Sequence, residues 1–301
     1  MRKIHLFFCL LGLVVLALPC FLAAQEKAEV IEKTFPMDIS RSISLEFHDV
    51  DGNLFFSPSG DNAIRAKITK EVRAGNARRA ERLFRDTTVD FSQNGNSLVI
   101  RIRYPRWRGF FFWIGDFQRV KVTSEIFLPE NSNLKVDLVD GEVRGNGLKG
   151  EMNLKTVDGD IRLSQIQGII QAKTTDGEID LEDVSGRVLA DTVDGGMAIA
   201  GALKELRLKS TDGDIRVDCS SSSVMEKDWE IRTGDGDVEI SLPGNFSADL
   251  ELQTRDGRIK TEIPVAVTKE ISKKMLSGKL NNGGLLFSIR TGDGQISLRA
   301  R

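Results

Sequence analysis

Apolar residues alternate with polar residues along most of the chain, and the alternation is centred on a repeated Asp-Gly pair. Five consecutive pairs begin at Asp140, Asp158, Asp176, Asp194 and Asp212, so the sequence repeats every 18 residues. In most copies apolar residues lie three and five positions after the Asp, and four and six positions before it. A period of two on both sides of a turn predicts two half-buried strands in each repeat.

A short fixed period of this kind predicts a β-solenoid, in which each 18-residue coil stacks on the next. One coil cannot bury its apolar side alone, so several coils have to stack to form a core. Because parallel crossover connections are nearly always right-handed, the expected solenoid is right-handed. The predicted fold class is therefore all-β, a right-handed β-solenoid or β-helix whose repeats occupy residues 131–301.

Six Asp-Gly pairs are predicted to close structural turns. They are Asp140 with Gly141, Asp158 with Gly159, Asp176 with Gly177, Asp194 with Gly195, Asp212 with Gly213, and Asp235 with Gly236. Aspartate hydrogen-bonds its own backbone and glycine tolerates a positive φ, so the pair suits a tight corner between strands.

Calcium is the alternative explanation of the Asp-Gly pairs. Stacked carboxylates suit a hard cation, and Asp160, Asp214 and Asp237 extend three pairs to Asp-Gly-Asp. The glycine-rich nonapeptide of calcium-binding β-rolls is absent from the sequence. The turn is therefore favoured, and no metal ion or other cofactor is predicted.

The repeat also resembles a known family. The string Thr-x-Asp-Gly-x-Ile-x-Leu, which recurs near the end of the chain at residues 291–298, is similar to the repeats of the bacterial putative-adhesin family. Segments 122–129 and 276–284 fit the pattern of that family as well. The resemblance implies an envelope-exposed β-solenoid domain of unknown function, and it supplies no catalytic residues.

Residues 25–130 are less regular and are predicted to form a β-rich N-terminal capping part. Alternation at 43–47, 64–72 and 97–104 predicts strands, and residues 76–86, which lack Gly and Pro, predict one short helix. An exposed end coil would offer unpaired strand edges, so we expect this part to cover the N-terminal end of the solenoid.

Residues 104–117, called the aromatic segment from here on, contain seven of the 17 aromatic residues that follow residue 24. The candidate contact residues in it are Arg106, Trp107, Arg108, Phe110, Phe111, Phe112 and Trp113. Aromatic and arginine side chains together suit a membrane interface, a glycan or a protein partner. The alternative is that the segment folds over the end of the solenoid and its rings form the core of the cap.

The charge of the chain is unevenly distributed. Residues 65–121 carry a net charge of +9, and the rest of the chain after residue 24 carries −13. A net charge of −4 after residue 24 argues against nucleic acid as a partner. The predicted partner is an envelope component: a protein, a glycan or a membrane surface.

Residues 1–24 have the features of a secretory signal peptide. Arg2 and Lys3 precede an apolar run, and Ala23 and Ala24 end the segment. The run is shorter than the roughly 20 residues that span a bilayer, although an uncleaved anchor stays open as an alternative. Cys20 follows a proline rather than a small residue, so lipid attachment is disfavoured. We expect an exported protein, periplasmic or at the cell surface, with no transmembrane span once the leader is removed.

After the leader the chain keeps one cysteine, Cys219, and one histidine, His48. This excludes an internal disulfide and a Cys/His zinc cluster. Carboxylate pairs recur with the period of the repeat rather than at one place, and no catalytic residue is assigned. The sequence predicts a non-enzymatic, adhesin-like binding protein of the envelope. The alternatives are an envelope structural or stress-regulatory module that binds another protein, and a carbohydrate-active β-helix enzyme.

Overall fold

The computed structural model describes residues 25–105 and 119–301, which contain 23 strands and one helix, α1 (Ala77–Asp86). The strands are β1 (Gln25–Pro36), β2 (Ile43–His48), β3 (Gly52–Pro58), β4 (Ala63–Ala74), β5 (Thr88–Asn94), β6 (Ser97–Arg103), β7 (Arg119–Leu128), β8 (Ser132–Asp137), β9 (Val143–Asn146), β10 (Lys149–Lys155), β11 (Ile161–Ser164), β12 (Gln167–Lys173), β13 (Ile179–Asp191), β14 (Met197–Lys209), β15 (Ile215–Cys219), β16 (Trp229–Arg232), β17 (Val238–Leu242), β18 (Ala248–Thr254), β19 (Ile259–Thr261), β20 (Val265–Ile271), β21 (Met275–Leu280), β22 (Leu286–Thr291) and β23 (Ile296–Ala300).

Parallel pairing stacks these strands into two rows, and each coil contributes one strand to each row. The first row runs β6, β2, β8, β10, β12, β13, β14, β16, β22, β18. The second row runs β7, β3, β9, β11, β13, β14, β15, β17, β23, β19. The strands β13 and β14, each 13 residues long, take part in both rows.

The core lies between the two rows and follows the columns that the alternation predicts. In one column Leu134, Met152, Ile170, Val188 and Leu206 pair in register from coil to coil, and each is at most 2% exposed. Identical positions of successive coils therefore stack at intervals of 18 residues. The predicted β-solenoid with 18-residue coils is confirmed.

One coil near each end of the described chain is inserted into the stack out of sequence order. The coil β2–β3 lies between β6–β7 and β8–β9, although it precedes both in the sequence. At the other end, β22–β23 lies between β16–β17 and β18–β19. The stack thus begins before residue 131, which marks the start of the regular spacing in the sequence.

Antiparallel strands cover most of the edges that the stack would otherwise expose. At the N-terminal end, β5 pairs with β6, and β4 pairs with β7 and with β1. At the C-terminal end, β21 pairs with β18 and with β20. The short helix that the sequence predicts is confirmed, and it packs Ala80 and Leu83 against Val72 and Ala74 of β4. Covered edges remove the unpaired backbone groups that favour aggregation.

Candidate functional site

Nine Asp-Gly pairs form nine of the ten corners that join a strand of the first row to a strand of the second. Successive corners pair with one another, as Asp140 does with Asp158 and Asp194 does with Asp212. A Cβ atom on Gly177 would lie 2.3 Å from the carbonyl oxygen of Gly159. Because that gap is too short for any side chain, the coils can approach one another only if the residue is glycine.

The reason for glycine at these corners differs from the expected one. Of the six predicted glycines, only Gly141 (φ 118°) and Gly236 (φ 157°) have a positive φ in the described structure. The expectation of a positive φ is wrong for Gly159, Gly177, Gly195 and Gly213. At those four positions the close contact between neighbouring coils requires glycine, because the added Cβ would lie 2.0–2.3 Å from a backbone oxygen.

A row of buried hydroxyl groups runs beside the corners. Thr or Ser lies two positions before the Asp in most coils, and its hydroxyl donates to the glycine carbonyl of the neighbouring corner. The distance is 3.1 Å from Thr174 to Gly159 and 3.0 Å from Thr291 to Gly236. These hydroxyls are satisfied within the stack, so they hold coils together and leave no free nucleophile there.

The carboxylates of the predicted corners are exposed on the outside of the stack. In the Asp-Gly-Asp triplets the second carboxylate accepts a hydrogen bond from the next coil, as Asp160 does from the backbone N–H of Glu178 at 2.9 Å. Asp214 accepts from Asp237 in the same way at 2.8 Å. Among residues 25–105 and 119–301, no group of three or more His, Cys, Asp or Glu is placed to hold a metal ion.

The tenth corner is where the aromatic segment joins the stack. The seven candidate contact residues, Arg106, Trp107, Arg108, Phe110, Phe111, Phe112 and Trp113, lie outside the described residues. Tyr104, which precedes them, donates a hydrogen bond from Oη to the carbonyl oxygen of Asp51 at 2.5 Å. The outermost N-terminal coil is β6–β7. Its two strands are joined by the aromatic segment, whereas an Asp-Gly corner joins the two strands in each of the other nine coils. We call residues 49–52, 103–105 and 119–121 the N-terminal corner.

Asp49 takes the place of the buried threonine in the N-terminal corner, two positions before Asp51. It is 5% exposed, and its Oδ1 accepts a hydrogen bond from the backbone N–H of Val50 at 2.7 Å. Its Oδ2 is buried without a hydrogen-bond partner. Burial raises the pKa of Asp49 to about 6. Burial and the neighbouring Asp49 carboxylate also raise the pKa of the Tyr104 phenol.

Positive charge collects at the same corner. The antiparallel register of β4 and β7 places Arg73, which pairs with Glu26 at 3.1 Å, opposite the first residue of β7. Helix α1 follows β4 directly, and its Arg78 and Arg82 are exposed, as is Lys121 of β7. The sequence predicts the excess of charge over residues 65–121 but not its convergence, which depends on the antiparallel pairing of distant strands.

His48 lies on the outer side of β2 among carboxylates. Its Nδ1 lies 3.2 Å from Asp137, and its Nε2 lies 3.4 Å from Glu46. Lys135 approaches Glu46 at 3.7 Å and completes a network of surface charges. The two coils that contribute to it, through β2 and β8, are neighbours in the stack, so the arrangement follows from the stacking of coils.

Comparison with solved structures finds matches of low sequence identity. A putative adhesin from Bacteroides fragilis is 12% identical, with 91% of this chain and 97% of that chain covered and a TM-score of 0.40. A putative adhesin from Parabacteroides merdae is 12% identical, with 90% and 96% covered and a TM-score of 0.46. A putative lipid binding protein from Parabacteroides distasonis is 12% identical, with the same coverage and a TM-score of 0.47. Likeness at this level does not transfer a function.

No curated protein matches the chain. No helix in the described ranges has the length and apolar character needed to cross a bilayer. The match to a family model is extensive and agrees with the resemblance seen in the repeats. Residues 42–299 match the model described as Toastrack DUF4097, and the chain therefore belongs to the Toastrack DUF4097 family.

Proposed function

We propose that this chain is an exported, non-enzymatic, adhesin-like binding protein of the cell envelope. It contacts an anionic membrane surface through the N-terminal corner and the aromatic segment. One observation carries the proposal: the outermost coil has a basic and aromatic insertion at the position where every other coil turns on Asp-Gly. The repeat is interrupted there by the residue types that bind a charged interface.

Aromatic rings and basic groups contribute to membrane binding in different ways. Tryptophan and phenylalanine rings bury in the headgroup region, and arginine neutralises phosphate. The exposed Arg78 and Arg82 of α1 and Lys121 of β7 add charge beside the segment.

The arrangement of the acidic residues supports a role without catalysis. The carboxylates of the Asp-Gly corners recur at nine of the ten coils and face outwards, whereas glycoside hydrolysis needs one pair set across a cleft. His48 belongs to a surface charge network, and Cys219 is buried. Burial raises the pKa of the Cys219 thiol to about 12, which keeps it protonated and unreactive.

Vesicle sedimentation tests the proposal. We expect the protein purified after export to sediment with phosphatidylglycerol vesicles and much less with phosphatidylcholine vesicles. Replacement of residues 106–117 by a glycine-serine linker of equal length should weaken the binding at least about tenfold, since each basic group near an anionic surface contributes roughly 1 kcal/mol. Equal binding by the linker variant, or no preference for the anionic lipid, would contradict the proposal.

A charge reversal in α1 adds a matched comparison. Arg78→Glu combined with Arg82→Glu should weaken binding to the anionic vesicles severalfold. Arg258→Glu combined with Lys260→Glu makes the same change in net charge at exposed positions of the opposite end of the stack. That control should bind like the native protein. If both pairs weaken binding equally, net charge rather than the N-terminal corner governs the interaction.

A further inference from the structure

The regular spacing of the repeat breaks in the last third of the chain, and the breaks meet at one place. After Asp212 the spacing between successive Asp-Gly pairs becomes 23, 21 and 37 residues. In the regular coils the edge opposite the Asp-Gly corners is closed by two-residue connections at 147–148 and 165–166. In the later coils it is closed by three longer loops, 220–228, 243–247 and 281–285.

These three loops precede β16, β18 and β22, which are neighbours in the first row. They enclose a cleft of about 470 Å³. That volume falls in the range of small-molecule sites, roughly 300–1,000 Å³. The insertions, scattered in the sequence, therefore build one concave surface at an edge that the regular coils close with two-residue connections.

The lining of the cleft is uncharged in a chain whose surface is otherwise densely charged. Four serines, two glycines and Asn245 supply polar groups, and Val224, Met225, Phe246 and Leu285 supply apolar ones. Val224 is 56% exposed and Leu285 is 40% exposed, so apolar carbon faces the solvent at the rim. A site of this kind suits a neutral ligand that carries hydroxyl groups on an apolar frame.

The loops are held in place by hydrogen bonds to the stack. Ser223 Oγ donates to the carbonyl oxygen of Gly201 at 3.0 Å, and Asn281 Nδ2 donates to the carbonyl oxygen of Phe246 at 2.7 Å. The ring of Phe246 lies 5.1 Å from that of Trp229 between ring centres, within an aromatic cluster. A pre-formed cleft on a rigid base loses little conformational freedom when a ligand binds.

We infer that this cleft binds a neutral saccharide, with the serine and asparagine groups bonding its hydroxyls and the apolar rim packing on its ring. A peptide ligand that binds by adding a strand to the sheet is disfavoured, because β16, β18 and β22 each pair on both sides and offer no free edge. Anionic ligands find no basic side chain among the lining residues. The site is separate from the N-terminal corner and goes beyond the proposed function.

Saturation-transfer NMR and calorimetry with neutral disaccharides test the inference. The probes are N,N′-diacetylchitobiose, maltose and lactose, with a galacturonic acid dimer as the anionic control. We expect at least one neutral disaccharide to bind with a dissociation constant of about 10 mM or tighter, and the anionic dimer to bind more weakly. Failure of all three neutral disaccharides to bind would overturn the inference.

Two matched exposed valines localise the site. Val224→Arg places a charged side chain in the cleft and should weaken disaccharide binding at least about tenfold. Val157→Arg makes the same change at an exposed position on the opposite edge and should leave affinity within about twofold of native. Leu285→Ala removes apolar rim area without adding charge and should weaken binding about threefold.

Equal binding by the Val224→Arg variant and the native protein, at unchanged melting temperature, would show that the cleft is not the site. The glycine-serine linker variant of residues 106–117 should bind the disaccharide normally. The saccharide inference and the proposed membrane contact can therefore fail separately.

Discussion

Single residues hold the coils at their close spacing, and the corner glycines show how. The sequence predicts the positions of the Asp-Gly corners because the pair recurs at a constant interval. It does not predict why glycine is needed at Gly177, because the atom that excludes a side chain, the Gly159 carbonyl oxygen, belongs to another coil. The alternation of residues along one strand does not predict the atomic contacts between that strand and the neighbouring coil.

Gly177→Ala tests the contact between coils. The added Cβ would lie 2.3 Å from the Gly159 carbonyl oxygen, so the coils have to separate locally. We expect the free energy of unfolding to fall by about 3 kcal/mol, measured by urea denaturation. Gly244→Ala, where no atom lies within 4 Å of the added Cβ and φ is not positive, is the control. Equal losses in both variants would contradict the account.

Asp49→Asn tests the buried carboxylate of the N-terminal corner. The pKa of about 6 in the folded protein lies above the ordinary 3.8, so the folded state keeps a proton that the unfolded chain releases. The contribution of Asp49 to stability therefore falls as the pH rises from about 4 to about 6 and stays low at higher pH.

We expect Asp49→Asn to raise the free energy of unfolding by about 2–3 kcal/mol over the native protein at pH 8 and by little at pH 4. The melting temperature, measured against pH, should show the same difference. Asp158→Asn, which changes an exposed corner carboxylate, is the control and should show no such difference. A gain that does not depend on pH would rule out the buried charge as its source.

At the scale of elements, α1 illustrates what a sequence window reveals and what it omits. The sequence predicts a helix over 76–86, and the structure has Ala77–Asp86 with Asn76 as its N-cap, bonded to the N–H of Arg79 at 2.9 Å. The anchor of the helix comes from β4 and is not predictable from the helix itself. Lys70 donates to the carbonyl oxygens of Phe84 and Thr87 at 2.9 and 3.1 Å.

Lys70→Met tests this anchor. The lysine side chain is 7% exposed and also pairs with Glu29 at 3.1 Å. Its loss leaves carbonyl groups at the end of α1 without a charged donor. We expect a decrease of about 2–3 kcal/mol in the free energy of unfolding and faster amide exchange in α1. Lys67→Met is the control: it removes a more exposed ion pair with Glu125 and should lower the free energy of unfolding by about 0.5 kcal/mol or less. Unaltered exchange in α1 would contradict the anchoring role.

For the whole molecule, the order of the coils differs from the order of the sequence at both ends. The repeat predicts how each coil is built, because every coil has the same columns. It does not predict that β22–β23 inserts between β16–β17 and β18–β19, because similar columns fit one another in many orders. The convergence of basic groups at the N-terminal corner is not predictable from the sequence either, because it depends on which distant strands pair. The aromatic segment is recognisable from composition alone.

The inserted coil predicts an unusual response to truncation. Removing residues 283–301 deletes a coil from inside the stack and leaves β18 and β16 without the strand that joins them. We expect loss of the cooperative thermal transition. Deleting residues 159–176 removes one regular 18-residue coil and joins Asp158 to Gly177, so the remaining coils restack and the transition persists at a lower temperature. A cooperative transition in the truncated chain would contradict the observed coil order.

Tryptophan fluorescence gives the most direct test of the proposed contact. The chain has three tryptophans, and Trp229 is buried in the core, so changes on vesicle binding report on Trp107 and Trp113. We expect phosphatidylglycerol vesicles to shift the emission to shorter wavelength and to protect it from acrylamide, with Trp107→Phe and Trp113→Phe each reducing the change. Emission that is already shielded in the free protein and unaltered by vesicles would show that the aromatic segment is the core of a cap.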